Sequence, residues 1–135
     1  SYAMLYSLVS NIIYRSRLNI NLPVIHGIVR SEEGFQYDIA DIFKPIICDR
    51  LIFRMINKNM IDQTCFEYND RLKGVYLNKK GMTIFIHNFE EMLADTIVVS
   101  GKKKMSYRNI LSREVHKISE HILKRKTYKG YRHKW

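Results

Sequence analysis

The feature that most constrains this chain is Pro45, set inside a stretch from 35 to 57 that otherwise reads as helix throughout. A proline removes one backbone donor, and its ring clashes with the preceding turn. Two helices or one kinked helix are therefore expected, meeting near Lys44 and Pro45. Residues 46 to 56 are apolar on most sides, so this half is expected to be the central core helix, covered all round.

The remaining elements follow from period and punctuation. From Tyr2 to about Arg17, Met4, Leu5, Leu8, Val9, Ile12 and Ile13 recur at three- and four-residue steps, the mark of an amphipathic helix. That helix begins almost at the first residue with little before it that resembles a cap, as though the chain opened inside an element. Residues 19 to 23 break it, and Glu32, Glu33 and Gly34 read as a turn. Two short β-type runs, 66 to 68 and 75 to 77, flank a polar turn ending in Gly74, which predicts a small hairpin. Asn78 is placed to cap the next helix, whose apolar positions are Ile84, Phe85, Phe89, Met92, Leu93 and Ile97. A last helix from Ser106 to about Arg125 buries Leu111, Val115, Ile118 and Ile122. The expected fold is all-α: one domain over residues 1 to 135, a bundle of five or six helices with at most one small β-hairpin.

Charge enters because of where it lies. Residues 1 to 100 are balanced, with 11 Lys+Arg against 11 Asp+Glu, so the whole net charge of +10 sits in residues 101 to 135. There, basic residues that include Arg108, Arg113, Lys117 and Lys124 outnumber the acids Glu114 and Glu120, with Tyr107, Tyr128, Tyr131 and Trp135 interleaved. Such an end attracts a polyanion through phosphate neutralisation, and the aromatics can stack on bases. A solvated basic face with aromatic core anchors is the competing reading, and His87, His116, His121 and His133 read as surface polar residues. Cys48 and Cys65 lack metal-type spacing, and Cys48 sits among apolar neighbours, which fits a reduced, cytoplasmic protein. No apolar run approaches the roughly 20 residues that span a bilayer, so no membrane association is expected.

Three polar residues stand out against the apolar background: His26, just after Pro23, and Asp38 and Asp41 on the helix that follows. Asp38, Asp41 and Lys44 are spaced by three and share a helical face, with Tyr37 beside them. One histidine with clustered carboxylates suits a hard or borderline divalent cation better than structural zinc. On spacing alone the same residues also describe a solvated helix face.

The segment LNINLPVIHGIVRSEEGFQYDIADIFKPIICDRLIFRMINKNMI resembles the core of the CRISPR-associated adaptation integrase family, the subunit that captures spacers. VYLNKKGMTIFIHNFEEML is similar to that family's hairpin and following helix. MSYRNILSREVHKISEHIL and the closing residues 128 to 135 are similar to its last helix and tail, so the resemblance covers nearly the whole chain.

The resemblance implies metal-dependent cleavage and joining of DNA strands, in which the 3′-hydroxyl of a captured DNA attacks a phosphodiester at the CRISPR repeat. It assigns His26 and Asp41 as ligands of a divalent metal, magnesium or manganese. Asp38 becomes a neighbouring acid, Lys44 a basic residue beside the site, and Tyr6 and Tyr37 tyrosines near the active centre. Arg108, Arg113, Lys117 and Lys124 are the expected contacts to double-stranded DNA. The implied partners are a second copy of the chain and a second, smaller CRISPR adaptation protein. The family's third metal ligand is a glutamate on an upstream helix, and no acid precedes Glu32 here. That departure implies a catalytic lobe lacking the family's N-terminal β-domain, with weak metal binding and poor cleavage when alone. Two other readings stay open: a non-catalytic helical nucleic-acid-binding module, and a structural interaction domain.

Overall fold

Pro45 does not break its helix; it widens it. In the computed structural model, which describes residues 1–16, 18, 34–100 and 103–133, α2 (Phe35–Phe43) runs into a π-helical turn (Lys44–Asp49) and then into α3 (Arg50–Asn57). The proline cannot donate to the carbonyl four residues back, and its ring will not fit a regular α turn, so the ladder slips by one residue. The amide of Arg50 accordingly donates to the carbonyl of Pro45, five residues earlier. Ile46, Ile47 and Cys48 are consecutive and all buried.

Around this continuous helix pack α1 (Tyr2–Arg15), α4 (Lys79–Ala94) and α5 (Tyr107–Ile122). Leu5, Val9 and Ile13 of α1 are fully buried, as the three- and four-residue spacing predicts for one face of a helix. They join Phe35, Ile39, Phe43, Leu51 and Met55 from the central helix, Phe85, Phe89 and Met92 from α4, and Leu111 and Val115 from α5 in one core. Burial pushes the Cys48 thiol up to about 11, consistent with its use as a small apolar side chain. α3 is less covered than expected: Phe53 and Ile56 are 64% and 52% exposed, because the helix buries only one stripe, Leu51 and Met55. No helix among the described residues is long and apolar enough to cross a membrane.

The chain is mostly helical, as expected, with five α-helices among the described residues, but two hairpins rather than one. The expected one pairs β1 (Phe66–Asn69) with β2 (Gly74–Leu77), antiparallel, with Phe66 opposite Leu77. Asn69 Oδ1 accepts from the amides of Arg71 and Leu72 and shapes the turn. The unexpected one pairs β3 (Thr96–Ser100) with β4 (Lys103–Ser106). Ile97 therefore belongs to a strand and not to α4. Four consecutive β-branched residues, Thr96 to Val99, favour extended backbone over one more helical turn.

Caps fix both later helices. Asn78 Oδ1 accepts from Gly81 N at 3.0 Å and Ser106 Oγ from Asn109 N at 3.2 Å. Gly81 is also where α4 touches the 3₁₀ turn (Gln63–Cys65): a Cβ there would lie 2.4 Å from the Cys65 carbonyl oxygen and 2.9 Å from Leu77 Cδ2. In an open helix, replacing glycine by alanine gains about 1 kcal/mol. Here the sign reverses: Gly81→Ala is expected to lower stability by about 2 kcal/mol through overpacking against backbone, read as a lower urea midpoint at unchanged slope.

Candidate active site and nucleic-acid interface

The π turn gathers much of the expected site. Asp41, one turn before its start, accepts an ion pair from Lys44 Nζ at 2.5 Å. The same ammonium lies 5.0 Å from the ring centroid of Tyr6 and 5.2 Å from that of Tyr2, both on α1. Tyr6 in turn meets Tyr37 of α2 edge to face, with centroids 4.7 Å apart and planes at 78°. Four of the residues expected from sequence, Tyr6, Tyr37, Asp41 and Lys44, thus form one cluster. Asp38 is on the same face of α2, one turn earlier, and is buried.

Electrostatics give Lys44 a definite state. Its hydrogen bonds to Asp41 and Tyr6 raise its pKa above the ordinary lysine value, outweighing the opposing effect of burial. It is a permanent cation, suited to stabilising negative charge and not to exchanging protons near neutrality.

For a divalent cation, the donor chemistry fits in kind. Asp38 and Asp41 are carboxylates three residues apart on one helix, the oxygen donors that magnesium and manganese prefer. Among the described residues no group of three or more His, Cys, Asp or Glu could hold a metal. A further donor has to come from elsewhere, and His26, the other expected ligand, lies outside the described residues.

Two residues of this cluster were not anticipated. Tyr2 donates its hydroxyl to Asp49 Oδ1 at 2.7 Å while its ring lies against Lys44. Tyr2 was legible in principle, being four residues before Tyr6 on the same helical face. Asp49 was not: its approach depends on the π register, which no spacing rule for α-helices would reveal.

The basic end proves more structured than a charged tail. Glu114 of α5 is 1% exposed; it pairs with Lys117 at 2.5 Å and accepts from the Tyr128 hydroxyl at 3.1 Å and the Tyr131 amide at 3.0 Å. Lys117 also donates to the carbonyl of Lys129. The segment after α5 is thereby folded back over the bundle, where Tyr131 stacks on Phe43 with ring centroids 5.6 Å apart. Tyr107 is buried and accepts from Arg50. Burial and the Glu114 carboxylate push the Tyr128 phenol's pKa well above its usual range. Tyr107, Tyr128 and Tyr131 are therefore anchors of the fold, and Trp135 lies outside the described residues. His133 is not a surface residue either: it is half-buried beside Tyr107 and Tyr131.

The four expected DNA contacts fall into different settings. Arg108 pairs with Glu90 where both are exposed, a partnership cheap to exchange for a phosphate. Arg113 leans on Met105 Sδ at 3.6 Å, Lys117 clasps Glu114, and Lys124 is exposed just past α5 with left-handed backbone, φ 56°.

Removing the anchor should release this closing segment. Glu114→Ala is expected to cost about 3 kcal/mol, because Lys117 and two donors lose their buried acceptor, and to make residues 124 to 132 rapidly cleavable by trypsin. Burial, with Arg50 nearby, lowers the His133 proton affinity below its ordinary 6.5. The unfolded chain then binds the extra proton first as pH falls. Stability from this group is whole above pH 6.5 and declines below it, so trypsin sensitivity of the wild-type tail should rise as pH drops through 6; a flat profile would contradict this.

The description "CRISPR associated protein Cas1" belongs to the family model that matches residues 1–91. A CRISPR-associated endonuclease Cas1 of Moorella thermoacetica is 35% identical over 134 residues, 98% of this chain and 41% of that protein. One from Thermodesulfovibrio yellowstonii is 34% identical over the same shares of each. The chain thus spans about two-fifths of the length of the curated relatives it matches. Among solved structures, a CAS1 protein from Thermotoga maritima superposes with a TM-score of 0.82 at 27% identity, over 94% of this chain and 39% of that one. A casposase bound to integration product shares the fold, with a TM-score of 0.84 at 16% identity, over 94% of this chain and 34% of the other. With two-thirds of its length matched by the family model and nearly all of it by these relatives, the chain belongs to the Cas1 family.

Proposed function

We propose that the chain contributes the catalytic face of a metal-dependent DNA endonuclease and integrase of CRISPR spacer acquisition. The observation that carries this reading is the convergence of Asp41, Lys44, Tyr6 and Tyr37 at the π turn, in a member of a family whose relatives are named endonucleases. The likeness to a casposase bound to integration product is in keeping with strand joining as well as cleavage.

In this reading Asp41 and His26 hold magnesium or manganese, with Asp38 as the neighbouring acid. When bound, such an ion polarises the scissile phosphate and lowers the pKa of the attacking hydroxyl or water. Lys44 places a fixed positive charge beside the transferring phosphate without being a ligand itself. Tyr6 and Tyr37 wall the site and restrict how a strand enters. Attack by a captured strand's 3′-hydroxyl makes one phosphodiester and breaks another, so the reaction is a transesterification; attack by water is the endonuclease reaction. Arg108 exchanges Glu90 for phosphate and Lys124, just past α5, adds a second contact to double-stranded DNA, while Arg113 and Lys117, on the other side of α5, contribute positive charge at longer range. Phe53 and Ile56 on α3 offer exposed apolar surface of the sort that assembly with a second copy, or with a smaller adaptation protein, would cover.

The test uses the full-length gene product, manganese titration by calorimetry, and cleavage of branched or double-stranded DNA. Asp41→Ala should abolish the saturable metal site and reduce cleavage by roughly a hundredfold or more. Lys44→Ala should keep metal binding and lose roughly a hundredfold in kcat. DNA binding indifferent to metal, with no cleavage and no effect of Asp41→Ala, would instead favour a non-catalytic nucleic-acid-binding module.

A further inference from the structure

Lys44 and Asp49 are the first and last residues of the π turn, and one side chain from α1 reaches both. In an α-helix, at 3.6 residues per turn, residues five apart point about 140° away from each other. A ladder that bonds residue i to i+5 stacks them nearly one above the other. Tyr2 can therefore lay its ring against the Lys44 ammonium and donate its hydroxyl to Asp49 only because the turn is wide. The contact also works in reverse: a hydrogen bond from α1 to the last residue of the turn holds the wide register that Pro45 imposes at its start.

We propose that Tyr2 is a positioning residue for Lys44, its ring fixing the ammonium beside Asp41 while its hydroxyl, through Asp49, holds the π register. The proposal rests on the reading above that Lys44 acts at the transferring phosphate. Tyr6 approaches the same ammonium from one turn further along α1, but only Tyr2 ties it to the far end of the turn. Lysine is a long and flexible side chain, and a charge meant for one oxygen of a transition state is effective only where it is held.

The geometry has a readout that needs no activity. In the full-length gene product labelled with 13C-lysine, ring currents should displace the Lys44 Hε resonances upfield. Tyr2→Phe, which keeps the ring, should retain most of that displacement, and Tyr2→Leu should lose the Tyr2 share of it. Tyr2→Phe should quicken hydrogen exchange of the Arg50 amide, which closes the π turn, by roughly tenfold. In manganese-dependent DNA cleavage, Tyr2→Leu should lower kcat about three- to tenfold with little change in KM, and Tyr2→Phe should restore most of the loss. Tyr2 is 41% exposed, so these variants should fold, as thermal midpoints close to wild type would verify. Lys44 resonances unmoved in Tyr2→Leu, or unchanged Arg50 exchange in Tyr2→Phe, would overturn the proposal whatever the activity. So would a displaced Lys44 in a Tyr2→Leu protein that cuts with wild-type kcat. A wild type that does not cut at all counts against the proposed function alone, and the resonance and exchange measurements still decide whether Tyr2 positions Lys44.

Discussion

A missing backbone hydrogen-bond donor organises this molecule. Because Pro45 cannot close an α turn onto Asp41, the helix widens for one turn and then resumes, keeping α2 and α3 continuous. The wide turn presents three successive residues, Ile46, Ile47 and Cys48, to the core. It also leaves Lys44 at the seam, close to Asp41 on one side and to the tyrosines of α1 on the other. A site built at such a seam inherits the rigidity of the core directly beneath it.

The cluster at the seam holds one cation against the cost of partial burial. Asp41 supplies opposite charge, Tyr6 and Tyr2 supply aromatic faces, and the surrounding helices supply partial burial. Hydrogen bonds to Asp41 and Tyr6 stabilise the ammonium more than burial destabilises it, so Lys44 stays charged. A fixed cation beside carboxylates suits a site that handles negative charge.

The opposite end of α5 shows how charge can mislead. Net positive charge is concentrated after residue 100, yet the tightest interactions there are made by a buried acid. Glu114 collects Lys117, Tyr128 and the Tyr131 backbone, and so converts a basic terminal segment into a packed strap whose Tyr131 rests on Phe43, two residues from Asp41. The positive charge left over after that demand lies chiefly at exposed positions such as Arg108 and Lys124.

Local rules were sufficient for much of this. Apolar period located α1, α4 and α5, Asn78 marked a helix start by its capping chemistry, and the i, i+3 spacing put Asp38, Asp41 and Lys44 on one face. Motif resemblance carried the family, because an ordered series of weak local matches is specific as a whole. Tertiary structure decided what depends on partners distant in sequence: that Pro45 widens the helix and does not end it, that Tyr2 meets Lys44 and Asp49, that Thr96 to Val99 form a strand, and that Glu114 is an anchor. The physical reason is that spacing reports which residues share a face of one element, whereas burial and electrostatic pairing depend on which other element comes to cover that face.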